Sequence, residues 1–280
     1  MKEFIHSFGE FGNLTGISTV PDTVSKAEIV VLMNAGVVHK VGPFRLNVDI
    51  ARELCKEGYI VFRFDLSGLG DSAKIKSNLN YYESTIKDFQ YAFDFLSEHM
   101  QKNRFIVAGL CTGADNAHKI AVKDQRVVGV ICLDGYGYPT SMYYWLRLKN
   151  RIGTPAKFVN TLIQRTLGLF IKKPILPLRS EYFQTDLDVN DYVWNLPQKT
   201  DFIKDMQLLF SRSTHLLYVY SGGVSGYYLY KEQFHDVFKG YEFCNVVEVH
   251  HSPHADHTYK IRKDRMELLA IIKQWLRTNF

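Results

Sequence analysis

The sequence predicts an α/β protein with a mostly parallel central sheet that is flanked by helices. Short apolar runs alternate with amphipathic helical segments in the order βαβαβαβ after an opening hairpin, and the connections are short. The alternation stops after residue 135 and resumes at residue 214, and the stretch between them carries helical fragments and many aromatic residues. We therefore expect a core of residues 1–135 and 214–280, with residues 136–213 as an inserted helical lid over the C-terminal edge of the sheet.

The individual elements follow from apolar periodicity and from the residues that end each segment. The first two strands should form an antiparallel hairpin, and Gly58 stands where a glycine commonly ends a helix. The predicted strands are KEFIHSF, NLTGISTVP, AEIVVLMNAG, YIVFRFDLSG, RFIVAGL, VVGVICLDG, HLLYVYSGG and NVVEVHH. The predicted helices are PFRLNVDIARELCKEG, NYYESTIKDFQYAFDFLSEHM, GADNAHKIAVKD, a segment around YLYKEQFHDVFKG, and KDRMELLAIIKQWLRTNF.

Composition and charge exclude several classes of protein. The chain of 280 residues is 46% hydrophobic, but no run approaches the roughly 18 apolar residues that a membrane span needs. The N-terminus lacks the apolar segment of a signal peptide, so we expect a cytoplasmic protein. The four cysteines show no CxxC spacing, and a net charge of +5 does not by itself suggest nucleic-acid binding. We expect reduced thiols, no cofactor and no nucleic-acid partner.

The stretch FIVAGLCTGADNAHKIA, residues 105–121, contains the frame of a nucleophile elbow, G-x-S-x-G, with Cys111 in place of serine. An elbow is a sharp turn between a strand and a helix, and Gly109, Gly113 and Ala114 leave room for it. The start of a helix favours an anion such as a thiolate. We therefore predict that Cys111 is a nucleophile; the alternative is a buried cysteine that only packs at the join.

A nucleophilic thiol needs a base, and elbow proteins carry their histidine near the C-terminus. The stretch VHHSPHADHTYK contains four histidines. His257 lies in the loop before the last helix, so we predict it as the base in preference to His250, His251 and His254. These histidines with Asp256 could alternatively bind a metal, but their spacing matches no standard ligand motif, so we expect no metal.

Three stretches together resemble the serine-aminopeptidase-like α/β hydrolases, especially the small hydrolases associated with exosortase systems. They are NAGVVHKVGPFRLNVDIARELCKEGYIVFRFDLSGLGDS, GLCTGA and ADHTY. The resemblance implies the α/β-hydrolase fold with a lid, Cys111 at the position of the nucleophile and His257 at that of the base. The chain departs from the family in two ways: cysteine replaces the usual serine, and the usual acid after the strand that follows the lid is missing.

The acid of a catalytic triad has to come from elsewhere. The stretch YVYSGGVSGYYLYK has no carboxylate, and the first acidic residue after it, Glu232, falls inside a predicted helix. Asp134 ends the strand that follows the elbow, and a carboxylate there can reach the same histidine, as in some thioesterases of this fold. We predict Asp134 as the acid that orients His257; the alternative is that it caps a turn.

An oxyanion hole needs two backbone N–H groups. We predict one from Thr112, which follows the nucleophile, and the other from Gly36 or Val37 in the loop MNAGVVHK. Gly36 would let the backbone approach a substrate closely. The alternative for Gly36 is a simple turn that ends the strand.

The predicted lid is strongly basic. Residues 141–180 contain eight Lys or Arg and no Asp or Glu. We predict that Lys172 and Lys173 could dock an acidic carrier protein or the phosphates of coenzyme A. Two alternatives remain: KFVNTLIQRTLGLFIKK could lie as an amphipathic helix on anionic lipid, or the charges could simply be solvated.

These residues predict a cysteine-dependent acyl-transfer enzyme, a thioesterase or acyltransferase that acts on acyl thioesters in a biosynthetic pathway. An acyl-cysteine is itself a thioester, so forming it from another thioester is close to an even exchange. A cysteine carboxylesterase or lactone hydrolase, like the dienelactone hydrolases, is a second hypothesis. A non-catalytic relative that only binds a ligand is a third.

Overall fold

A computed structural model describes residues 1–24, 26–75, 78–152 and 196–280, and the side chains of 151 and 152 are outside the description. Eight strands form one sheet in the order β1-β2-β4-β3-β5-β6-β7-β8. β1 pairs antiparallel with β2, and β2 antiparallel with β4, whereas all the remaining neighbours are parallel. The predicted fold class, with its opening hairpin and parallel sheet, is confirmed.

The strands lie where the apolar runs predicted them. Five of the six strands in the parallel part are almost continuously buried, because helices cover both faces of the sheet there, whereas the last strand, at the edge, is mostly half-buried. The strands are β1 Lys2–Phe8, β2 Leu14–Val20, β3 Ile29–Leu32, β4 Ile60–Phe64, β5 Phe105–Leu110, β6 Val127–Leu133, β7 His215–Ser221 and β8 Glu248–Ser252.

Seven α-helices are described within these ranges: α1 Leu46–Lys56, α2 Tyr81–Met100, α3 Thr112–Lys123, α4 Ser141–Ile152, α5 Lys199–Ser211, α6 Gln233–Val237 and α7 Arg262–Asn279. One face of the sheet packs on α2, α3 and α5, which bury side chains such as Phe93, Ala117 and Met206. The other face packs on α1 and α7, with Leu54 and Trp275 among the buried residues. The sheet therefore lies between two helical layers.

Two helix ends show how the sequence sets their limits. Asn80 caps α2 by accepting the N–H of Glu83, whose carboxylate accepts the N–H of Asn80 in return. The predicted helix around residues 228–240 is much shorter than expected, since α6 has only five residues. The buried Gln233 side chain hydrogen-bonds the backbone of Leu229 and Tyr138, which holds the preceding residues in a loop.

Part of the predicted lid lies in the described residues. In α5, Phe202 and Leu209 are buried in the same core as the sheet. In α4 only Tyr143 is fully buried among residues 141–150. Residues 153–195 lie outside the description, and the extent of the lid stays a prediction. None of the helices described is both long and apolar enough to cross a membrane.

Candidate active site

The turn between β5 and α3 has the backbone geometry of an elbow. Cys111 has φ 58° and ψ −121°, in a region that non-glycine residues seldom occupy. A Cβ on Gly109 would lie 2.2 Å from the carbonyl carbon of Gly113, and one on Gly113 would lie 2.6 Å from the backbone oxygen of Asn34. Both glycines are therefore required sterically, and the turn leaves Cys111 partly exposed at the start of a 12-residue helix.

Asp134 follows β6 and is held from the neighbouring strand. Its side chain is fully buried. The N–H of Ser221 donates to Oδ1 at 2.6 Å, and the Ser221 hydroxyl donates to Oδ2 at 2.6 Å. The hydroxyl of Tyr227 donates to the backbone oxygen of Asp134 at 2.9 Å. Ser221 thus donates one hydrogen bond to each carboxylate oxygen, and these two bonds hold the carboxylate independently of any histidine.

His257 lies against this carboxylate. Its Nδ1 is 2.7 Å from Asp134 Oδ2, and since an ionised carboxylate only accepts, Nδ1 carries the proton. The hydrogen bond that His257 donates to Asp134, and then the interaction with the Cys111 thiol, raise the pKa of His257 to about 10, against the opposing effect of burial. The imidazolium form is therefore favoured at neutral pH, between a carboxylate on one side and a thiol on the other.

The other three histidines of this stretch have different partners. His250 pairs with Glu248, His251 packs edge-on against the ring of Tyr228, and His254 pairs with Glu267. His254 also lies near Asp264. Within the described ranges, no group of three or more His, Cys, Asp or Glu side chains is arranged to hold a metal ion.

The loop after β7 is the part of the site that sequence reasoning missed. A Cβ on Gly222 would lie 2.0 Å from the backbone oxygen of Pro253, and one on Gly223 would lie 2.5 Å from the nitrogen of His257. The two glycines therefore let this loop lie directly against the loop of His257. The signal in the sequence is Ser221-Gly-Gly at the end of a strand, because two consecutive glycines allow the backbone to lie close to another loop.

The residues predicted to form an oxyanion hole also lie together. The N–H of Gly36 donates to Thr112 Oγ1 at 2.6 Å, so it points at the first turn of α3. Gly36 has φ +55°, and among the described residues no heavy atom other than those of its chain neighbours lies within 4 Å of where its Cβ would be. Val37 is 55% exposed, in a turn that the N–H of Val38 closes by donating to Ala35. A role for these N–H groups in catalysis stays a prediction.

The predicted docking residues Lys172 and Lys173 lie outside the described residues. Basic side chains of the described part of the lid contact aromatic rings. Arg147 donates to the hydroxyl of Tyr143, and Lys149 lies over the ring of Trp145 at 5.2 Å.

Comparison with known families gives one match. Residues 25–188 match the sequence model of the serine aminopeptidase S33 hydrolases. The match covers more than half of the chain, from before β3 into the predicted lid, and includes the elbow, Gly36 and Asp134. It ends before His257. Comparison with curated proteins gives no significant match.

Several solved structures share the fold at low sequence identity. An α/β hydrolase, GrgF, from Penicillium sp. sh18 is 14% identical, with 100% of this chain and 99% of that chain covered and a TM-score of 0.61. An esterase from Pyrococcus furiosus is 15% identical, with 99% and 90% covered and a TM-score of 0.61. A proline iminopeptidase from Mycobacterium smegmatis is 14% identical, with 99% and 98% covered and a TM-score of 0.57.

Proposed function

Because this chain belongs to the serine aminopeptidase S33 family of α/β hydrolases, we propose that it is an enzyme that works through an acyl-cysteine. In this proposal Cys111 attacks an acyl thioester, His257 moves the protons and Asp134 orients His257. The product is the free acid in a thioesterase, or a new ester or amide in an acyltransferase. The acyl donor would be carried by coenzyme A or by a carrier protein.

The contact that carries the proposal is the placement of His257. It hydrogen-bonds a fully buried carboxylate at 2.7 Å and also interacts with the Cys111 thiol at the elbow. A base between a nucleophile and an orienting acid is the arrangement that nucleophilic catalysis needs. The raised pKa of His257, about 10, places a positive charge beside the nucleophile, and such a charge stabilises the thiolate that the proposal requires.

Acylation begins with attack of the Cys111 thiolate on the thioester carbonyl, which moves the carbonyl electron pair onto oxygen. The backbone N–H groups of Thr112 and Gly36 would hold this oxyanion, and the Thr112 hydroxyl that now accepts from Gly36 would have to turn away. The intermediate collapses, the C–S bond to the donor breaks, and His257 protonates the leaving thiolate. Cys111 is left as a thioester and His257 as a neutral imidazole.

Deacylation reverses these roles. Neutral His257 takes a proton from water, an amine or an alcohol as that group attacks the acyl carbon. Collapse of the second intermediate breaks the bond to sulfur and restores the thiolate–imidazolium pair. An acyl-cysteine is more susceptible to amines, relative to water, than an oxyester is. Sulfur at the elbow therefore suits acyl transfer at least as well as hydrolysis.

Intact-protein mass spectrometry tests the proposal directly. The protein is mixed with acyl thioesters and activated oxyesters, and the mass increase of one acyl group is followed with time. Cys111→Ala should abolish the adduct. Cys244→Ala, which removes a buried cysteine elsewhere in the fold, should keep it. Added amines or alcohols that shorten the lifetime of the adduct and appear in the product would identify a transferase.

The same panel distinguishes the other two hypotheses. Turnover of oxyesters and lactones without turnover of thioesters would favour a cysteine carboxylesterase. If none of the thioesters and oxyesters gives an adduct or is turned over, although iodoacetamide still alkylates Cys111, the result would favour a protein that only binds a ligand.

A further inference from the structure

The buried side chain of Asp65, at the carboxyl end of β4, is not one of the proposed catalytic residues. It hydrogen-bonds the loop that carries Gly36. Asp65 is fully buried and directly follows β4. Its Oδ1 accepts from the side-chain amide of Asn34 at 3.1 Å and from the backbone N–H of Lys40 at 2.5 Å. Its Oδ2 accepts from Lys40 Nζ at 2.6 Å and from the N–H of Asp71 at 3.0 Å.

These contacts fix both ends of one short segment, residues 34–40, which we call the Gly36 loop. Asn34 begins the loop and Lys40 ends it, and the two share one carboxylate oxygen. Asn34 binds further within this region, since its amide donates to the backbone oxygen of Val38 at 3.0 Å and its Oδ1 accepts from Leu66 at 3.2 Å. Asp65 therefore links both ends of the loop to the carboxyl end of β4.

The ammonium of Lys40 completes this arrangement. Its side chain is 5% exposed and lies between Asp65 and Asp71. Burial alone would lower the pKa of Lys40, but hydrogen bonds and opposite charges from the two aspartates outweigh burial and raise it. A cation buried to this extent loses most of its hydration, and the two carboxylates offset that loss.

Close approaches of two glycines leave space for Asp65 and place Asn34 against the elbow. A Cβ on Gly70, which has φ +50°, would lie 2.3 Å from Asp65 Oδ2, so glycine leaves space for the carboxylate. On the other side, the backbone of Asn34 is the surface against which Gly113 packs. Displacement of Asn34 would therefore move the Gly36 loop relative to α3, whose first residue accepts from Gly36 at 2.6 Å.

We propose that Asp65 and Lys40 are positioning residues that hold the Gly36 loop at the distance from Thr112 which an oxyanion requires. This inference rests on the proposed acyl-cysteine chemistry, because only a tetrahedral intermediate uses that distance. Neither residue touches the substrate. Their effect passes through the backbone of the loop, and it should appear in steps that form an oxyanion and in no others.

Two variants and a matched control test the inference. Asp65→Asn places an amide nitrogen against the ammonium of Lys40 or against the loop's N–H donors. Lys40→Met removes only the ammonium. The control is Arg63→Met, which removes a cation of similar burial on β4 that pairs with Glu3 on β1, towards the antiparallel edge of the sheet. Circular dichroism and thermal denaturation identify any variant that fails to fold.

Each protein is measured in two reactions of the same thiol. Acylation by an activated ester or thioester passes through an oxyanion, whereas alkylation by iodoacetamide does not. Loss of one oxyanion donor costs about 10²–10³ in rate, so a displaced donor should slow acylation about 10- to 100-fold, with alkylation changed less than about twofold. Arg63→Met should change neither reaction beyond about twofold. Equal losses in both reactions, or no loss of acylation in a folded variant, would overturn the inference.

Hydrogen exchange separates this inference from the proposed function. Peptides that cover the Gly36 loop should exchange faster in Asp65→Asn and Lys40→Met than in the wild type or in Arg63→Met. If the wild type forms no acyl adduct but the loop shows this change, the proposed chemistry fails and the role in oxyanion formation fails with it, whereas Asp65 and Lys40 are still shown to hold the loop. Unchanged exchange of the loop in both variants would reject the positioning role whatever the activity.

Discussion

The substitution Asp134→Asn changes one oxygen of the proposed triad, and the contacts around it determine the outcome. The backbone N–H of Ser221 can only donate, so the amide oxygen must stay at the position of Oδ1. The amide nitrogen then replaces Oδ2, which faces His257 Nδ1 and the Ser221 hydroxyl. That nitrogen donates to Nδ1, which forces the proton of the imidazole onto Nε2, on the side of the nucleophile.

The size of the effect follows from the charge that is removed. The hydrogen bond with Asp134 is the largest of the effects that raise the pKa of His257 to about 10. Loss of a neighbouring charge of this kind should lower that pKa by about 1–3 pH units. Each pH unit is a tenfold change in the ratio of the thiolate–imidazolium pair to the neutral thiol and imidazole. We therefore expect acylation at pH 7 to slow about 10- to 1,000-fold. This is less than the ~10⁴-fold loss for the same change in a serine triad, because the thiolate–imidazolium pair partly persists.

The assay is the pH dependence of Cys111 alkylation by iodoacetamide, read by intact mass, together with the titration of His257 by NMR. In Asp134→Asn the acid limb of the alkylation profile should move to higher pH, and the midpoint of His257 should move to lower pH. The control is Asp88→Asn. Asp88 is also buried and accepts from the N–H and hydroxyl of one serine, Ser67, but it contacts no histidine within the described residues.

Three results would refute this reasoning. An unchanged pKa of His257 in Asp134→Asn would mean that Asp134 does not control the imidazole. A normal alkylation profile combined with normal acylation would mean that the buried carboxylate only supports the loop after β7. Loss of activity to the same degree in Asp88→Asn would show that the effect of Asp134→Asn does not depend on its contact with His257.

Four further outcomes follow from the same contacts. Gly113→Ala should destabilise the fold by about 1–3 kcal/mol in denaturant unfolding, because its Cβ would lie 2.6 Å from the oxygen of Asn34. Gly223→Ala should slow acylation more than it lowers the melting temperature, because its Cβ would displace the backbone of His257; a lower melting temperature with normal acylation would contradict this. Ser221→Ala should slow acylation, whereas Ser221→Thr, which keeps the hydroxyl, should restore most of it. Since the folded pKa of His257 is about 10, above its usual 6.5, its contribution to stability should be complete below pH 6.5 and fall as pH rises towards 10. Unfolding curves of the wild type and of His257→Gln should therefore converge over that range.

An element could be predicted from the sequence where its local geometry requires particular residue types. The elbow could be predicted because a turn with φ 58° at Cys111 requires glycine on both sides. The strands of the parallel sheet could be predicted because burial on both faces demands continuous apolar runs. The helix around residues 228–240 could not, because the buried side chain of Gln233 takes backbone partners from Tyr138, far along the chain.

Contacts between residues on neighbouring strands could not be predicted from the sequence, for a physical reason. Ser221 holds Asp134 only because β6 and β7 are parallel neighbours in a register that aligns Leu133 with Val219. Asp65 reaches the Gly36 loop only because β3 and β4 are adjacent. Strand order and register are set by packing of the whole sheet, and no single stretch of sequence records them.

The position of Asp134, the proposed acid, and the glycines after β7 form one arrangement. The resemblance to the serine-aminopeptidase-like hydrolases implies an acid in this loop, yet here the loop approaches too closely to carry one. Any side chain on Gly222 would overlap the backbone of Pro253, and any on Gly223 would overlap that of His257. Ser221, at the end of the same strand, instead donates both of its hydrogen bonds to Asp134. A carboxylate from β6 and a loop small enough to close over the histidine therefore depend on each other, and restoring an acid at residue 222 or 223 would displace the histidine it was meant to orient.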